Sequence, residues 1–158
     1  MENLKVCLVC SRILPIYRFR AKYEFCNNCR AELIKLKHQV HSAIVMSVRY
    51  GIKSYIWNYL PYSLDDFKKN IEMQFEPWMN WKNQGKYNIL DWNDNDQNTW
   101  YWQLDHIIPQ SVYWFTSIKD DLFKECWGLD NIRPLSAKLN ALKGSKLYGR
   151  YDEIKRLG

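Results

Sequence analysis

The sequence contains no apolar run that approaches the ~20 residues needed to cross a bilayer. Its N-terminus has no apolar segment after the first charges, so no secretory signal is expected. It also has no internal repeat, no low-complexity tract and no heptad pattern. These absences argue against membrane, secreted, repeat and coiled-coil proteins. We expect a globular protein of the cytoplasm, and the choice between a monomer and a homodimer stays open.

Apolar and aromatic side chains are abundant. They make up 47% and 16% of the 158 residues, and eight of the aromatic residues are tryptophans. A chain of this length and composition can bury a core, as one domain or as a domain with a small module. We therefore expect a folded chain rather than a disordered one.

The net charge of +6 is unevenly distributed. Residues 1–60 hold ten Lys or Arg against three Asp or Glu, whereas residues 61–100 hold four against seven. From Arg133 onward there are seven basic residues and two acidic ones. Two basic segments that flank an acidic middle suit a polyanionic partner, although charge alone fits a solvated surface equally well.

Four of the five cysteines form two C-x-x-C pairs, Cys7 with Cys10 and Cys26 with Cys29. This spacing is typical of zinc sites, because each tight turn presents two thiolates and a second turn completes the tetrahedron. Disulfides are the alternative, and they are uncommon in the reducing cytosol. We predict a structural Zn²⁺ site with four protein ligands. The fifth cysteine, Cys126, lies among apolar residues and is predicted to be in the core.

Arg18, Arg20 and Lys22 lie between the two cysteine pairs and alternate with aromatic residues. This mixture suits contact with the nucleic-acid backbone together with stacking on bases. Packing of the aromatic rings around the zinc site explains the pattern equally well.

A helix is predicted from Arg30 to about Val48, because apolar and small residues recur there at steps of three and four. His38 and His41 lie on this helix, three residues apart. They suit phosphate contact or a plain surface better than a metal site, since the four cysteines already complete one. These interpretations stay open.

A second, acidic helix is predicted to begin at Ser63, a candidate N-cap, and to end at Pro77. Asp65 and Asp66 occupy its first turn, where the helix dipole favours acidic side chains. Residues 82–99 are polar and are predicted to form an exposed loop. Their alternating Asp and Asn resemble a calcium loop only superficially, since the glycine and closing Glu of that motif are missing.

The segment WQLDHIIPQS is a strand-like apolar run that ends in Asp105 and His106 and is stopped by Pro109. Neighbouring side chains on a strand point to opposite faces, so two adjacent polar residues indicate either an exit into solvent or the rim of a site. A further strand is predicted over NIRPL, from Asn131, and a helix over SAKLNALK. Ser136 is predicted to cap this helix and Gly144 to end it.

Asn140 and Lys143 are three residues apart on the last predicted helix, so they share one face. That face is offset from Leu139 and Leu142, which we predict to be buried. Two strands and a helix with polar groups at these places form a compact holder for one metal ion. The spacing therefore favours a site in which the side chain of Asn140 lies close to Asp105 at the end of the strand.

These residues resemble those of the HNH endonucleases. The resemblance rests on LDHIIPQS and NIRPLSAKLNALKGSK, in which Asn131, Asn140 and Lys143 are spaced as in the HNH domain of the RNA-guided CRISPR nucleases. The segment from YSLDDF to MNWKNQG is similar to one that precedes the motif in small phage-encoded HNH enzymes, and FKECWGLDNIRPL is similar to their spacer. Paired C-x-x-C turns also recur in such proteins. The resemblance covers residues 62 to about 147 well and residues 1–30 loosely.

The resemblance implies an α+β protein with a ββα-metal (His-Me finger) nuclease core, flanking helices and a zinc-ribbon-like N-terminal module. The implied division is a zinc module over residues 1–30, a helical connector over 31–62 and a nuclease domain over 63–158, with its core at about 100–147. A phage-encoded enzyme of this kind would act in the cytoplasm of a bacterial host. Its partner would be double-stranded DNA, with no membrane and no small-molecule cofactor.

The resemblance also implies residue roles. His106 would be the general base, since an imidazole can take a proton from water at neutral pH. Asp105 and Asn140 would hold one divalent ion, and Asn131 would brace the loop behind His106. Lys143 would contact phosphate. The residues predicted to contact DNA are Arg18, Arg20, Lys22, Arg133, Lys138 and Lys146.

One departure bears on the metal. The last residue of the motif is Asn140 rather than histidine, and an amide oxygen is a hard ligand that suits Mg²⁺ or Mn²⁺ better than Zn²⁺ or Ni²⁺. We therefore expect Mg²⁺ or Mn²⁺ as the catalytic ion. The polar loop before the motif is longer than in compact HNH enzymes. The alternative function is a zinc-dependent DNA-binding or regulatory protein with a vestigial nuclease site, and RNA or a structured junction stays open as a substrate.

Overall fold

The structure is a computed structural model, and it describes residues 3–145 of the chain. This part of the chain is a mixed α+β structure with two small antiparallel sheets, as the sequence predicted at this level. The strands are β1 (Leu4–Val6), β2 (Ile13–Pro15), β3 (Trp102–His106) and β4 (Ile132–Ser136). The helices are α1 (Asn27–Tyr50), α2 (Leu64–Glu72), α3 (Asp121–Cys126) and α4 (Ala137–Lys143).

The first sheet and the start of α1 enclose a small core of their own. β1 pairs with β2, and the turn between them carries Cys7 and Cys10. Cys26 is the N-cap residue of α1, and Cys29 lies in its first turn. Phe19 packs between these segments and pairs with Cys26 as an isolated bridge. The four cysteines therefore lie where two turns face each other.

α1 links this small core to the main one. Its buried apolar residues recur along one face, and Val40, Ile44 and Val48 belong to the main core. The helix ends at Gly51, whose φ of 66° is the left-handed conformation that glycine adopts without strain. The boundary expected between residues 30 and 31 therefore falls inside one continuous helix. The connector expected over residues 31–62 supplies part of the main core.

α2 packs on the main core as its sequence pattern predicts. Ser63 and Asp66 form a capping box, in which each side chain accepts a hydrogen bond from the other's backbone N–H. Phe67 and Ile71 are fully buried. α2 also contacts β4, so this helix packs against the second sheet.

The second sheet and α4 form a strand–strand–helix unit. β3 pairs with β4 in an antiparallel register that places Asp105 opposite Arg133 and His106 opposite Ile132. α4 follows β4 directly, with Ser136 as its N-cap residue, and contacts both strands. Trp102 is fully buried at the start of β3, and its indole N–H donates to the carbonyl of Asn80. Because β3 pairs with β4 and α4 contacts both strands, β3 lies next to α4.

The buried face of α4 differs from the prediction. Leu142 is 42% exposed and Leu139 is partly exposed, whereas Lys143 is 1% exposed. Lys143 points inward because its ammonium group donates hydrogen bonds to the Asp105 carboxylate and to the backbone carbonyl of His106. Cys126, in contrast, is fully buried as predicted.

Across residues 3–145, none of the helices combines the length and apolar character that a membrane span requires. Lys146, which the sequence analysis assigned to DNA contact, lies outside the described residues, as does the C-terminal part of the chain after it.

Candidate active site and metal cluster

The four cysteines of the C-x-x-C pairs form one cluster. Their sulfur atoms all lie within 4.8 Å of one another, and the sulfurs of Cys7 and Cys29 are 3.8 Å apart. Four thiolates at ~2.3 Å from a central zinc ion would be ~3.8 Å apart, so the spacing suits a tetrahedral ion. Each cysteine is a free thiol. The cluster could hold a structural metal such as zinc, as the sequence predicted.

The surroundings of the cluster favour thiolates at two of its positions. Burial alone would raise the pKa of Cys7, but backbone N–H groups of Cys10, Cys26 and Val9 lower that pKa to about 6. The Arg12 side chain donates to the Cys10 sulfur at 3.4 Å and lowers the pKa of that thiol. Burial raises the pKa of Cys29 to about 12, so this thiol depends on a bound metal to lose its proton.

The basic residues of the N-terminal loop are exposed, as a role in contacting a polyanion requires. Arg18, Arg20 and Lys22 all reach solvent. Arg18 lies over the ring of Tyr17, and Lys22 lies over the ring of Tyr23. The structure is therefore compatible with contact to nucleic acid and with packing of the rings within the N-terminal module. The rings that could stack on bases also contact the basic side chains of this loop.

A second group of polar side chains surrounds the carboxylate of Asp105, which is 4% exposed. One carboxylate oxygen accepts a hydrogen bond from Arg133 Nε at 2.8 Å, and the other accepts one from Lys143 Nζ at 2.5 Å. Lys143 also donates to the backbone carbonyl of His106. The strand register explains the first contact and the position of α4 explains the second. Asp105 is thus the centre of a buried cluster with two cations.

His106 lies beside this cluster and is 6% exposed. Its ring meets the edge of Trp127, with centroids 4.5 Å apart and an interplanar angle of 82°. The amide nitrogen of Gln110 lies 3.2 Å and 3.4 Å from the two ring nitrogens. Burial, with the nearby charges of His41, Lys143 and Lys37, lowers the pKa of His106 to about 3. The imidazole is therefore neutral at physiological pH.

Asn131 holds the loop that follows His106. Its side-chain oxygen accepts a hydrogen bond from the backbone N–H of Ile108 at 2.7 Å, and its amide group donates to the carbonyls of Ile108 and Cys126. Its own carbonyl accepts from the N–H of Ile107. These bonds fix the chain where it leaves β3, and so they fix the direction of the His106 backbone.

Asn140 of α4 completes the group. Its amide nitrogen donates to Gln103 Oε1 at 2.8 Å, and its carbonyl oxygen then points away from Gln103. Asp105, His106 and Asn140 line a surface cavity of about 270 Å³, together with Lys143 and Gln110. The structure therefore brings together the three residues that the motif singles out, at one cavity on the strand–strand–helix unit.

Three basic side chains that were predicted to contact DNA or phosphate pair with carboxylates in the structure. Arg133 is 7% exposed and pairs with Asp105, so its guanidinium is not presented to solvent. Lys138 is more accessible, and its ammonium contacts both carboxylate oxygens of Asp94 in the polar loop at 2.8 Å. Lys143, expected to contact phosphate, is buried against Asp105. The physical reason is the same in each case, because a carboxylate lies within reach of the basic side chain.

Sequence reasoning missed several residues around His106. Gln110 contacts the ring, Trp127 shields it, and Lys37 of α1 donates to the backbone carbonyl of Gln110 at 2.6 Å. Of these residues, Gln110 is near His106 in the sequence, since it lies four residues further on in the loop after β3. This proximity was the local sequence signal that could have identified it. Lys37 and Trp127 come from distant parts of the chain, so no local pattern pointed to them.

Comparisons with known proteins found a partial match to a viral protein. No protein-family model matches the chain, and no solved structure matches it. An uncharacterized protein of Acanthamoeba polyphaga mimivirus is 32% identical to it over 98 residues, which are 62% of this chain and 35% of that protein. The match therefore spans about one third of the length of the viral relative.

Proposed function

We propose that the protein is a metal-dependent DNA endonuclease of the HNH type, with β3, β4 and α4 as its ββα-metal core. The observation that carries this proposal is the convergence of Asp105, His106 and Asn140 on one cavity. A strand, a strand and a helix in that order supply the site, and Asn131 bonds to the loop behind the histidine. The spacing of these residues resembles that of the HNH motif, which adds to the support for the proposal.

The donor atoms at the cavity suit a hard divalent cation. Asp105 offers carboxylate oxygens and Asn140 offers an amide oxygen, and Mg²⁺ and Mn²⁺ take such ligands together with water. Asp105 already accepts one hydrogen bond from a cationic group at each oxygen, so a divalent ion would use a remaining lone pair or replace one of these groups. When bound, the ion would stabilise negative charge on the phosphate and on the leaving oxygen.

The role proposed for His106 is to accept the proton of the attacking water. Its ring is neutral at physiological pH, so a ring nitrogen is free to accept a proton, and the ring lines the same cavity as Asp105. Trp127 limits the movement of the ring from one side, and the Gln110 amide lies against its nitrogens. Asn131 acts as a positioning residue, because it bonds to the backbone after His106 and not to the cavity.

The test is cleavage of plasmid DNA by the His106→Ala variant of the full chain with Mg²⁺ or Mn²⁺. We expect a loss of roughly 10²- to 10⁴-fold in rate with unchanged DNA affinity, since a proton acceptor is removed and no DNA contact is. His38→Ala is the matched control, because His38 is an exposed histidine of α1. Undiminished cutting by the His106 variant would refute the assignment. Activity that only Zn²⁺ or Ni²⁺ supports would refute the choice of Mg²⁺ or Mn²⁺ as the catalytic ion.

A second candidate function has one observation in its favour. Both oxygens of Asp105 are satisfied by Arg133 and Lys143, so the cluster is stable without an ion. This arrangement suits a zinc-based DNA-binding protein whose nuclease site is vestigial. The two candidates differ in a nicking assay run beside a binding assay. Tight DNA binding without nicking in either Mg²⁺ or Mn²⁺ would favour the second.

A further inference from the structure

A second cavity adjoins the Asp105–His106 cavity. We call it the α1 cleft, and it is lined by His41 and Arg49 of α1, by Gln84 and Lys86, and by Gln103 and Asn140. Its volume is about 240 Å³. Because Leu104 and Asn140 line both cavities, the two cavities are adjacent. A ligand that occupies one can therefore extend into the other.

The charges around the α1 cleft are of one sign. Arg49 and Lys86 are exposed at the cleft, and neither has an ion-pair partner among residues 3–145. The cleft is lined by no Asp or Glu from the described part of the chain. A concave surface with cations and no carboxylates concentrates anions, and a phosphate group is the anion that a nucleic-acid strand offers.

The interior of the cleft also offers atoms without partners. Gln84 is 7% exposed, and its side-chain oxygen has no hydrogen-bond partner within the described residues. The Nδ1 atom of the His41 ring is likewise buried and unpaired there. Buried polar atoms in proteins are normally paired, and those left unpaired call for a ligand or an ordered water. The Gln84 oxygen can only accept, so it would select a donor group.

The backbone at this place is held in position. Gly85 donates its N–H to the carbonyl of Trp102 at 3.0 Å, and Gln84 pairs with Trp102 as an isolated bridge. A Cβ atom at Gly85 would lie 2.6 Å from the ring of Tyr101, so only glycine fits without a shift. These contacts make Gln84 a fixed part of the cleft and not the tip of a surface loop.

We propose that the α1 cleft binds the nucleotide next to the phosphate that is cut. In this arrangement Arg49 and Lys86 contact the flanking phosphate, and the Gln84 oxygen accepts a hydrogen bond from an amino group of the base. The inference rests on the proposed function, and it names the subsite of that function through which the DNA strand is positioned. His41 borders the same ligand from the α1 side.

The first experiment measures binding of a short DNA duplex to the full chain by fluorescence anisotropy, without Mg²⁺ or Mn²⁺, at several salt concentrations. For the Arg49→Ala/Lys86→Ala double variant we expect ~10-fold weaker binding and a salt-dependence slope smaller by about 2, because two phosphate contacts are lost. The matched control is Lys69→Ala/Lys119→Ala, which removes the same charge from exposed positions outside the cleft. Equal binding by the two double variants would overturn the proposal.

The second experiment tests the unpaired oxygen. Gln84→Leu removes it at nearly constant volume, so duplex binding should weaken roughly 5- to 10-fold with the same salt slope. The unfolding midpoint should stay equal or rise, because an unpaired acceptor leaves the interior. Wild-type affinity in this variant would exclude the role given to Gln84.

Failure of this inference can be told apart from failure of the proposed function. In cleavage assays the Arg49/Lys86 variant should raise KM while kcat stays within about threefold, whereas His106→Ala should lower kcat. If the wild-type chain binds DNA through the cleft but never cuts it, the cleft stands and the nuclease proposal fails. If it cuts and the cleft variants behave as wild type, the cleft alone is refuted. A chain that binds no DNA refutes both.

Discussion

At the scale of single residues, the least expected feature is a lysine in the interior. Lys143 is 1% exposed, and it bonds to both Asp105 and the carbonyl of His106. Burial lowers the pKa of its ammonium group, while Asp105 opposes that effect. The sequence analysis predicted that Lys143 contacts phosphate. In the structure its positive charge instead balances the buried carboxylate of Asp105.

Replacing Lys143 tests this arrangement. Lys143→Met should lower the free energy of unfolding by about 3 kcal/mol, because it leaves a buried carboxylate with one of its two cations. The matched control is Lys138→Met on the same helix, whose exposed pair with Asp94 should contribute less than about 1 kcal/mol. Urea unfolding measures both. Adding Asp105→Asn to Lys143→Met should recover most of the loss, and equal effects of the two lysine variants would contradict the buried-cluster description.

The sequence could predict which residues meet here but not how they pair. Asp105, His106 and Asn140 converge because a strand end and the face of a following helix bring them to one place, and their spacing shows that. Arg133 and Lys143 were interpreted as surface residues, since basic side chains are rarely buried. Their burial depends on the strand register and on the position of α4, which only the folded chain defines.

At the scale of elements, α1 and the loop after β3 are joined by one side chain. Lys37 is 6% exposed, donates to the carbonyl of Gln110 at 2.6 Å and lies 3.9 Å from the centroid of the Trp114 ring. Because Gln110 contacts His106, α1 supports the site through this lysine. The length of α1 could be predicted to within a few residues from its periodicity, but this long-range contact could not.

The pKa of Lys37 predicts a pH dependence of stability. Burial lowers this pKa to about 8, whereas an unfolded lysine titrates near 10.4. Between these values the unfolded chain binds more protons than the folded one, so the contribution of Lys37 to stability rises with pH. Below about pH 8 the ammonium is charged in both states and the cost of its burial is fully present.

The measurement is the free energy of unfolding of the wild type and of Lys37→Met at pH 7.5 and at pH 10. The difference between the two proteins should change by about 2 kcal/mol in favour of the wild type at the higher pH. Using this difference removes the contribution of tyrosines and cysteines that titrate in the same range. Parallel curves for the two proteins would show that Lys37 keeps its ordinary pKa.

At the scale of the whole molecule, the cysteine cluster and the candidate active site are parts of one packed structure. α1 begins directly after Cys26, its N-cap residue, and continues into the main core. Trp114, which lies in the segment after β3, packs against Tyr23 and Phe25 of the N-terminal module, with ring centroids 5.3 Å and 4.8 Å away. The sequence suggested separate modules because the C-x-x-C pairs form a local pattern, while these ring contacts join residues about ninety positions apart.

This packing predicts that loss of the proposed zinc ion also affects the candidate active site. The wild-type chain should carry one zinc ion, and Cys26→Ser should lose it, because a tetrahedral site needs four ligands. The same variant should unfold at a lower temperature and should cut DNA more slowly, since Trp114 and the start of α1 lose their support. Metal analysis, thermal unfolding and the nicking assay together measure these three effects.

The control for this prediction is Cys126→Ala, which removes a buried cysteine outside the cluster and should keep the zinc. Full activity in a zinc-free Cys26→Ser protein would show that the two parts act independently.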